Sequence, residues 1–174
     1  PEALRWLATL TAPQEPQQLC GTGTAPADAQ LLRRLHETPF LRAARNPAYG
    51  YPGDPALLDV ALDLAPPPAD TTPLGLAMHR WLVECSSTFA AFRARRRYLA
   101  ACIDRAAARF PGAPVVGLFA GHARELEESR AWRESRVAVQ LVDFDARVLA
   151  HAREALGAPP RLATRSSTLA ELLG

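Results

Sequence analysis

One stretch, residues 113–145, restricts this chain more than any other. It opens on the apolar run Pro114-Val115-Val116-Gly117-Leu118-Phe119-Ala120-Gly121, which ends in small residues. A segment of helical character follows, His122-Ala123-Arg124-Glu125-Leu126-Glu127-Glu128. A second apolar run, Val137-Ala138-Val139-Gln140-Leu141-Val142, is closed by Asp143-Phe144-Asp145. The order is strand, tight turn, helix, strand, acid. Past it the pattern predicts a helix over 145–156, a third strand over 161–164 and a last helix over 168–173. Strands alternating with helices of this length imply a parallel sheet with right-handed crossovers.

That order is also the order of a nucleotide-binding βαβ unit. There the first turn lets a phosphate or cofactor approach the backbone, and the acid after the second strand holds a ribose. The spacing of 22 residues from Gly121 to Asp143 is close to the expected gap of about 20. The turn itself carries fewer glycines than the usual fingerprint.

The region before residue 112 reads as helical. A short helix over 2–10 carries Leu4, Leu7 and Leu10 on one stripe. The Pro-, Gln-, Gly- and Thr-rich segment 11–25 is a loop. Its Gly21-Thr22-Gly23-Thr24 has neither a preceding strand nor a following Lys, so it reads as linker and not as a phosphate loop. Helices follow over 28–36, 55–64, 72–84 and 86–110. Asp54-Pro55 and Thr72-Pro73 each place a capping side chain before a proline at the first helical position. Pro66-Pro67-Pro68 is expected to stop the second of these helices. The fold class is therefore α/β: a helical N-terminal region, 1–111, followed by a partial Rossmann-like parallel sheet of about three strands, 112–174.

Between helices lies Asn46-Pro47-Ala48-Tyr49-Gly50-Tyr51-Pro52-Gly53-Asp54-Pro55, stiffened by three prolines. It is either a rigid turn or a loop folded over a ligand site, with Tyr49, Tyr51 and Asp54 facing the ligand. Arg93, Arg95, Arg96 and Arg97 cluster on the longest helix. They form a solvated basic face, or one of them turns inward to bind a carboxylate through its forked donors.

Composition excludes some classes. The formal net charge of +2 over 174 residues gives no global attraction to nucleic acid. No apolar run approaches the roughly 18 residues of a membrane span, and the first residues lack a signal-peptide pattern. Cys20, Cys85 and Cys102 have no metal or redox spacing, which reads as reduced thiols of a cytoplasmic protein. No set of His, Cys, Asp and Glu has metal spacing, so no metal is expected. His79 and His151 read as packing or surface residues, and no catalytic group can be named from the chain alone.

The order of elements resembles class I S-adenosylmethionine-dependent methyltransferases. More narrowly, Gly50-Tyr51-Pro52-Gly53-Asp54 with Leu57-Leu58-Asp59, the helix through Arg93-Ala94-Arg95-Arg96-Arg97-Tyr98, and residues 115–126 are similar to bacterial methyltransferases that make a 3-hydroxy fatty-acid methyl ester signal. The resemblance runs from about Leu31 onward. It implies that Phe119, Ala120, Gly121 and His122 face the methionine part of S-adenosylmethionine. Asp143, followed by Phe144 and Asp145, would hold the ribose; Ser166 and Ser167 would lie by the adenine. Arg96, or a neighbour, would reach the cofactor carboxylate, and Tyr49, Tyr51 and Asp54 would form a lid. The implied reaction moves a methyl group to an oxygen of a small acid or acyl acceptor, by placing the nucleophile in line and excluding water.

Phe119 stands where that family has glycine, and the fourth strand of such a sheet is absent from these residues. Two further expectations follow. One is a non-catalytic, methyltransferase-like partner or regulatory subunit. The other is that the unpaired edge of strand 115–118 is covered, by the helical region, by a second copy in a homo-oligomer, or by more of a longer protein.

Overall fold

The computed structural model describes residues 33–173. The expected helix 2–10, the loop 11–25 and most of helix 28–36 lie outside the described residues. Residues Arg34–Gly174 cluster as one compact unit that holds helices and sheet together. Its elements are α1 (Pro39–Arg45), α2 (Pro55–Ala61), α3 (Pro73–Cys85), α4 (Ser87–Arg109), β1 (Val115–Leu118), α5 (Glu125–Glu128), α6 (Arg130–Arg133), β2 (Val139–Asp143), α7 (Ala146–Ala155), β3 (Leu162–Ser166) and α8 (Leu169–Leu173).

The helix starts follow the cap-then-proline logic. Asp54 accepts from the Leu57 amide and Thr72 from the Gly75 amide, each with proline next in the chain. Ser86 holds the cap position of α4 but makes no side-chain capping bond. Helix α2 ends at Ala61, ahead of the three prolines. Asp63 takes φ 59°, its amide bonds the Val60 carbonyl, and the Leu64 amide bonds the Asp59 carbonyl. That paired bonding is a Schellman stop, with aspartate where glycine is usual. Gly157 (φ 74°) ends α7 in the same way.

The helix expected over 122–128 is instead a turn followed by two one-turn helices. Ala123 at φ 50° prevents a helical start, and Ser129 begins α6 by accepting from the Trp132 amide. Asp104 of α4 then takes the Ser129 hydroxyl at 2.7 Å and the Ala131 amide at 2.8 Å. This carboxylate adds a second N-terminal partner for α6 beside the Ser129 cap.

The sheet has three parallel strands in the order β1-β2-β3, with Val115 opposite Val139 and Val139 opposite Leu162. Central β2 is buried on both faces apart from half-buried Gln140, as a covered parallel strand should be. Ile103 and Ala107 of α4, Leu126, Trp132 and α7's Leu149 and Ala152 close the core over Val139, Leu141 and Leu162. Strand β1 pairs only with β2; among the described residues no strand takes its other edge. Val116 and Leu118 remain 51% and 55% exposed. Helix α3 passes so close to residue 37 that a Cβ at Gly75 would overlap the Glu37 carbonyl. Among the described residues no helix is long and apolar enough to cross a membrane.

Candidate functional site

The turn from β1 to α5 is built from alternating left-handed residues. Phe119 (φ 51°), Gly121 (φ 54°) and Ala123 (φ 50°) all sit where L side chains are disfavoured. Only one of the three is glycine, so strain is held here. The turn is fastened from below. Asp143, at the end of β2, accepts the Gly121 amide at 3.0 Å through one oxygen and the Asp145 amide at 3.1 Å through the other. Asp143 is 4% exposed.

In front of this turn lies a cavity of about 400 Å³, within the range of small-molecule sites. Leu58 and Leu62 of α2, Phe92 and Leu99 of α4, and Val116 and Leu118 of β1 make its apolar wall. Phe119 is one of the lining residues and is itself 55% exposed. The polar wall comprises Asp59, Arg95, Arg96, His122, Arg124 and Glu125.

Most of those polar groups are committed to each other. Arg124 grips Asp59 with two donors, at 2.9 Å to Oδ1 and 2.7 Å to Oδ2. It also reaches Glu127 at 2.8 Å. His122 Nδ1 lies 2.8 Å from Asp59 Oδ2, and its Nε2 lies 2.9 Å from the Tyr49 hydroxyl. Burial alone pushes the Asp59 carboxyl up, but the hydrogen bonds from His122 and Arg124 outweigh it and hold the group at about 2. The Asp59 carboxylate can only accept at Nδ1, so in the neutral imidazole Nε2 is the nitrogen left to accept from the Tyr49 hydroxyl.

Arg96, expected to meet a cofactor carboxylate, is spent elsewhere. It donates to the Arg124 carbonyl at 3.0 Å and to Glu127 at 2.9 Å, and pairs with Glu128 at 3.3 Å. Arg95 has no hydrogen-bond or ion-pair partner among the described residues, and it lines the same cavity. Glu125 is half-buried there; burial pushes its carboxyl up, partly offset by the Arg95 and Arg96 charges. Arg96 does turn inward, as one member of the cluster was expected to, but its donors meet protein acceptors, while Arg95 beside it keeps its donors free among the described residues. The i,i+1 neighbours point about 100° apart on a helix, and nothing local says which faces the turn.

The strap 46–54 lies against the end of the sheet. Asp54 is 1% exposed and bonds the Tyr49 amide as well as capping α2, so it fastens the strap. Arg147 donates to the Tyr49 carbonyl at 2.8 Å and stands over its ring at 5.6 Å. Tyr51 packs on Phe144 with ring centroids 5.2 Å apart. Burial raises the Tyr51 phenol, and the Asp143 charge raises it further. Asp145 caps α7 and pairs with Arg147 at 2.6 Å. Ser166 donates to the Phe144 carbonyl at 3.3 Å; Ser167 is 5% exposed and donates to Glu171 at 3.2 Å.

The structure also brings together a cluster that sequence spacing does not show. Donor atoms of Asp59, His122 and His151 lie within 4.8 Å of one another. His151, expected to be a packing or surface residue, stacks its ring on His122 at 4.0 Å and 28°. The expectation of no metal-spaced set is thus corrected for proximity. Availability is another matter. Both nitrogens of His122 and both oxygens of Asp59 are already engaged, with Tyr49, with each other and with Arg124. The cluster is arranged for proton handling more than for holding a cation. His79, the other helix histidine, is buried and lies 3.5 Å from Asp63.

No family model, no curated protein and no solved structure matches the chain.

Proposed function

We propose that this chain is an S-adenosylmethionine-dependent methyltransferase with a Rossmann-like half-sheet, or the cofactor-binding portion of one, acting on an oxygen of a small cytoplasmic acceptor. The observation that carries the reading is the strained turn 119–123, tied by Asp143 and fronting a cavity of about 400 Å³. Backbone strain of this kind gathers at ligand sites, and an acid at the end of the second strand is the residue that holds a ribose in nucleotide-binding sheets; both support the reading.

The residues present fit the cofactor's amino-acid end. Arg95 would take its carboxylate and Glu125 its ammonium, both from the cavity wall. Asp143 spends one lone pair of each oxygen on Gly121 and Asp145, which leaves others for ribose hydroxyls. The bound cofactor would supply an electrophilic methyl group. The protein's part is to orient it, to place the acceptor in line and, through the strap 46–54, to keep water out.

One observation favours a second reading, a non-catalytic partner or regulatory subunit. Tyr51 packs on Phe144, the residue that follows Asp143, at the end of the sheet where the ribose would lie. Calorimetric titration with S-adenosylhomocysteine separates the two. Saturable binding that Arg95→Ala weakens tenfold or more is expected of the methyltransferase. Absence of heat at high protein concentration favours the partner.

A further inference from the structure

We propose that Tyr49, His122 and Asp59 form a proton relay ending at the Tyr49 hydroxyl, and that the group this protein methylates is a hydroxyl and not a carboxylate. The relay stands on its own geometry; the identity of the acceptor rests on the methyltransferase reading above.

The chain of contacts is short and directional. Tyr49 Oη lies 2.9 Å from His122 Nε2, and His122 Nδ1 lies 2.8 Å from Asp59 Oδ2. Asp59 is 5% and His122 is 5% exposed, and Arg124 occupies both Asp59 oxygens. A carboxylate so clamped does not take the proton itself. It fixes the imidazole tautomer and stabilises the imidazolium that forms, which is the part an acid plays behind a histidine base. Tyr49 is held at four places: its amide by Asp54, its carbonyl by Arg147, its ring beneath the Arg147 guanidinium, and its hydroxyl by His122. The neighbours of Tyr49 on the strap, Ala48 and Gly50, are exposed, so this pinning is specific to one side chain.

The surroundings suit transfer through the phenol more than storage of charge on it. Burial, then the charges of Asp54, Asp145 and Asp59, raises the Tyr49 phenol, so a lasting phenolate is disfavoured. The groups facing His122 are Asp59 from α2, Tyr49 from the strap, Arg124 from the turn and His151 from α7. Burial first, with the Arg124 charge among the further causes, pushes His151 below the ordinary histidine range.

For methyl transfer, a base of this kind serves a protic acceptor. Free carboxylic acids ionise near pH 4 and arrive as anions, whereas phenols and alcohols keep their proton until about pH 10 or above. With a hydroxyl acceptor the balance is complete. The acceptor oxygen–carbon bond forms as the carbon–sulfur bond breaks, the electron pair staying on sulfur. The acceptor proton passes to Tyr49 Oη, the Tyr49 proton passes to His122 Nε2, and Asp59 remains a carboxylate.

The test uses 4-nitrophenol, whose phenolate absorbs in the visible, and needs no cofactor. In mildly acidic buffer, where the free probe is chiefly neutral, the wild-type protein is expected to develop the phenolate band on binding. Tyr49→Phe keeps the ring and both backbone anchors. It is expected to retain the probe by equilibrium dialysis and lose the band, as is His122→Gln. A wild-type protein that gives no band, or a Tyr49→Phe protein with the full band, overturns the relay. S-adenosylhomocysteine is titrated in parallel. Its binding without the band leaves the methyltransferase reading standing and sinks this proposal. The band without its binding keeps the relay and overturns the hydroxyl-methylation half.

Discussion

Replacing Asp59 with asparagine tests the network on which the site is built. The substitution keeps the shape and removes the charge that Arg124 and His122 share. Asp59 falls from an ordinary value of 3.8 to about 2 in the fold. At ~1.4 kcal/mol per unit that is about 2 kcal/mol of stability carried by the ionised carboxylate. A depressed acid contributes fully above its unfolded value near 3.8 and loses its contribution as the pH falls through about 2. The variant also leaves Arg124 short of one partner, and breaking a buried pair from one side costs roughly 3–5 kcal/mol. Arg124 keeps Glu127 and a 19% exposed side chain, so the low end, about 3 kcal/mol, is expected at neutral pH. Urea unfolding is the assay. The midpoint should drop with the slope unchanged. The gap between wild type and Asp59→Asn should then close between about pH 4 and pH 2. Other depressed carboxyls, such as Asp104 and Asp145, titrate in both proteins and cancel in the difference. A midpoint unchanged at neutral pH, or a gap that persists undiminished in acid, would refute the reasoning.

Further outcomes follow from the same contacts. Phe119→Gly should be neutral to stabilising by up to about 1 kcal/mol, since it removes a left-handed aromatic worth ~1–2 kcal/mol of strain at the cost of glycine's added freedom; thermal unfolding checks it, and a clear loss of stability would show that the ring packs productively. Gly75→Ala should destabilise by roughly 1–3 kcal/mol through overpacking against the Glu37 carbonyl, read as a lower urea midpoint. Tyr51→Ala removes an aromatic pair worth ~0.5–1.5 kcal/mol, and it should tighten S-adenosylhomocysteine binding by roughly two- to tenfold in calorimetry. Weaker binding would mean that Tyr51 holds the ligand and does not cover its place.

Much of the fold was legible because its determinants are local. The apolar runs around Val115 and Leu141 mark their strands, and Asp54-Pro55 and Thr72-Pro73 start their helices where expected. Boundaries failed where a left-handed residue other than glycine intervened, at Asp63 and at Ala123. Such residues carry no compositional mark. The turn 119–122 and Asp143 were readable as neighbours through the 22-residue spacing. The relay was not. Asp59 meets His122 across 63 residues and Tyr49 meets it across 73, so no window of sequence holds both partners. Arg124 and His151 escaped notice for the same reason: each reads as an ordinary helix residue until α2 and the turn are folded together.

The central claim is that the turn after β1 and the cavity before it receive an adenosyl amino-acid ligand. Amide NMR of the whole chain during addition of S-adenosylhomocysteine tests this most directly. The account predicts saturable shifts centred on Ala120, Gly121, Asp145 and the Arg95 side chain, because these line the turn, the acid and the cavity wall. A spectrum unmoved at saturating ligand, or shifts confined to regions remote from Gly121, would contradict it.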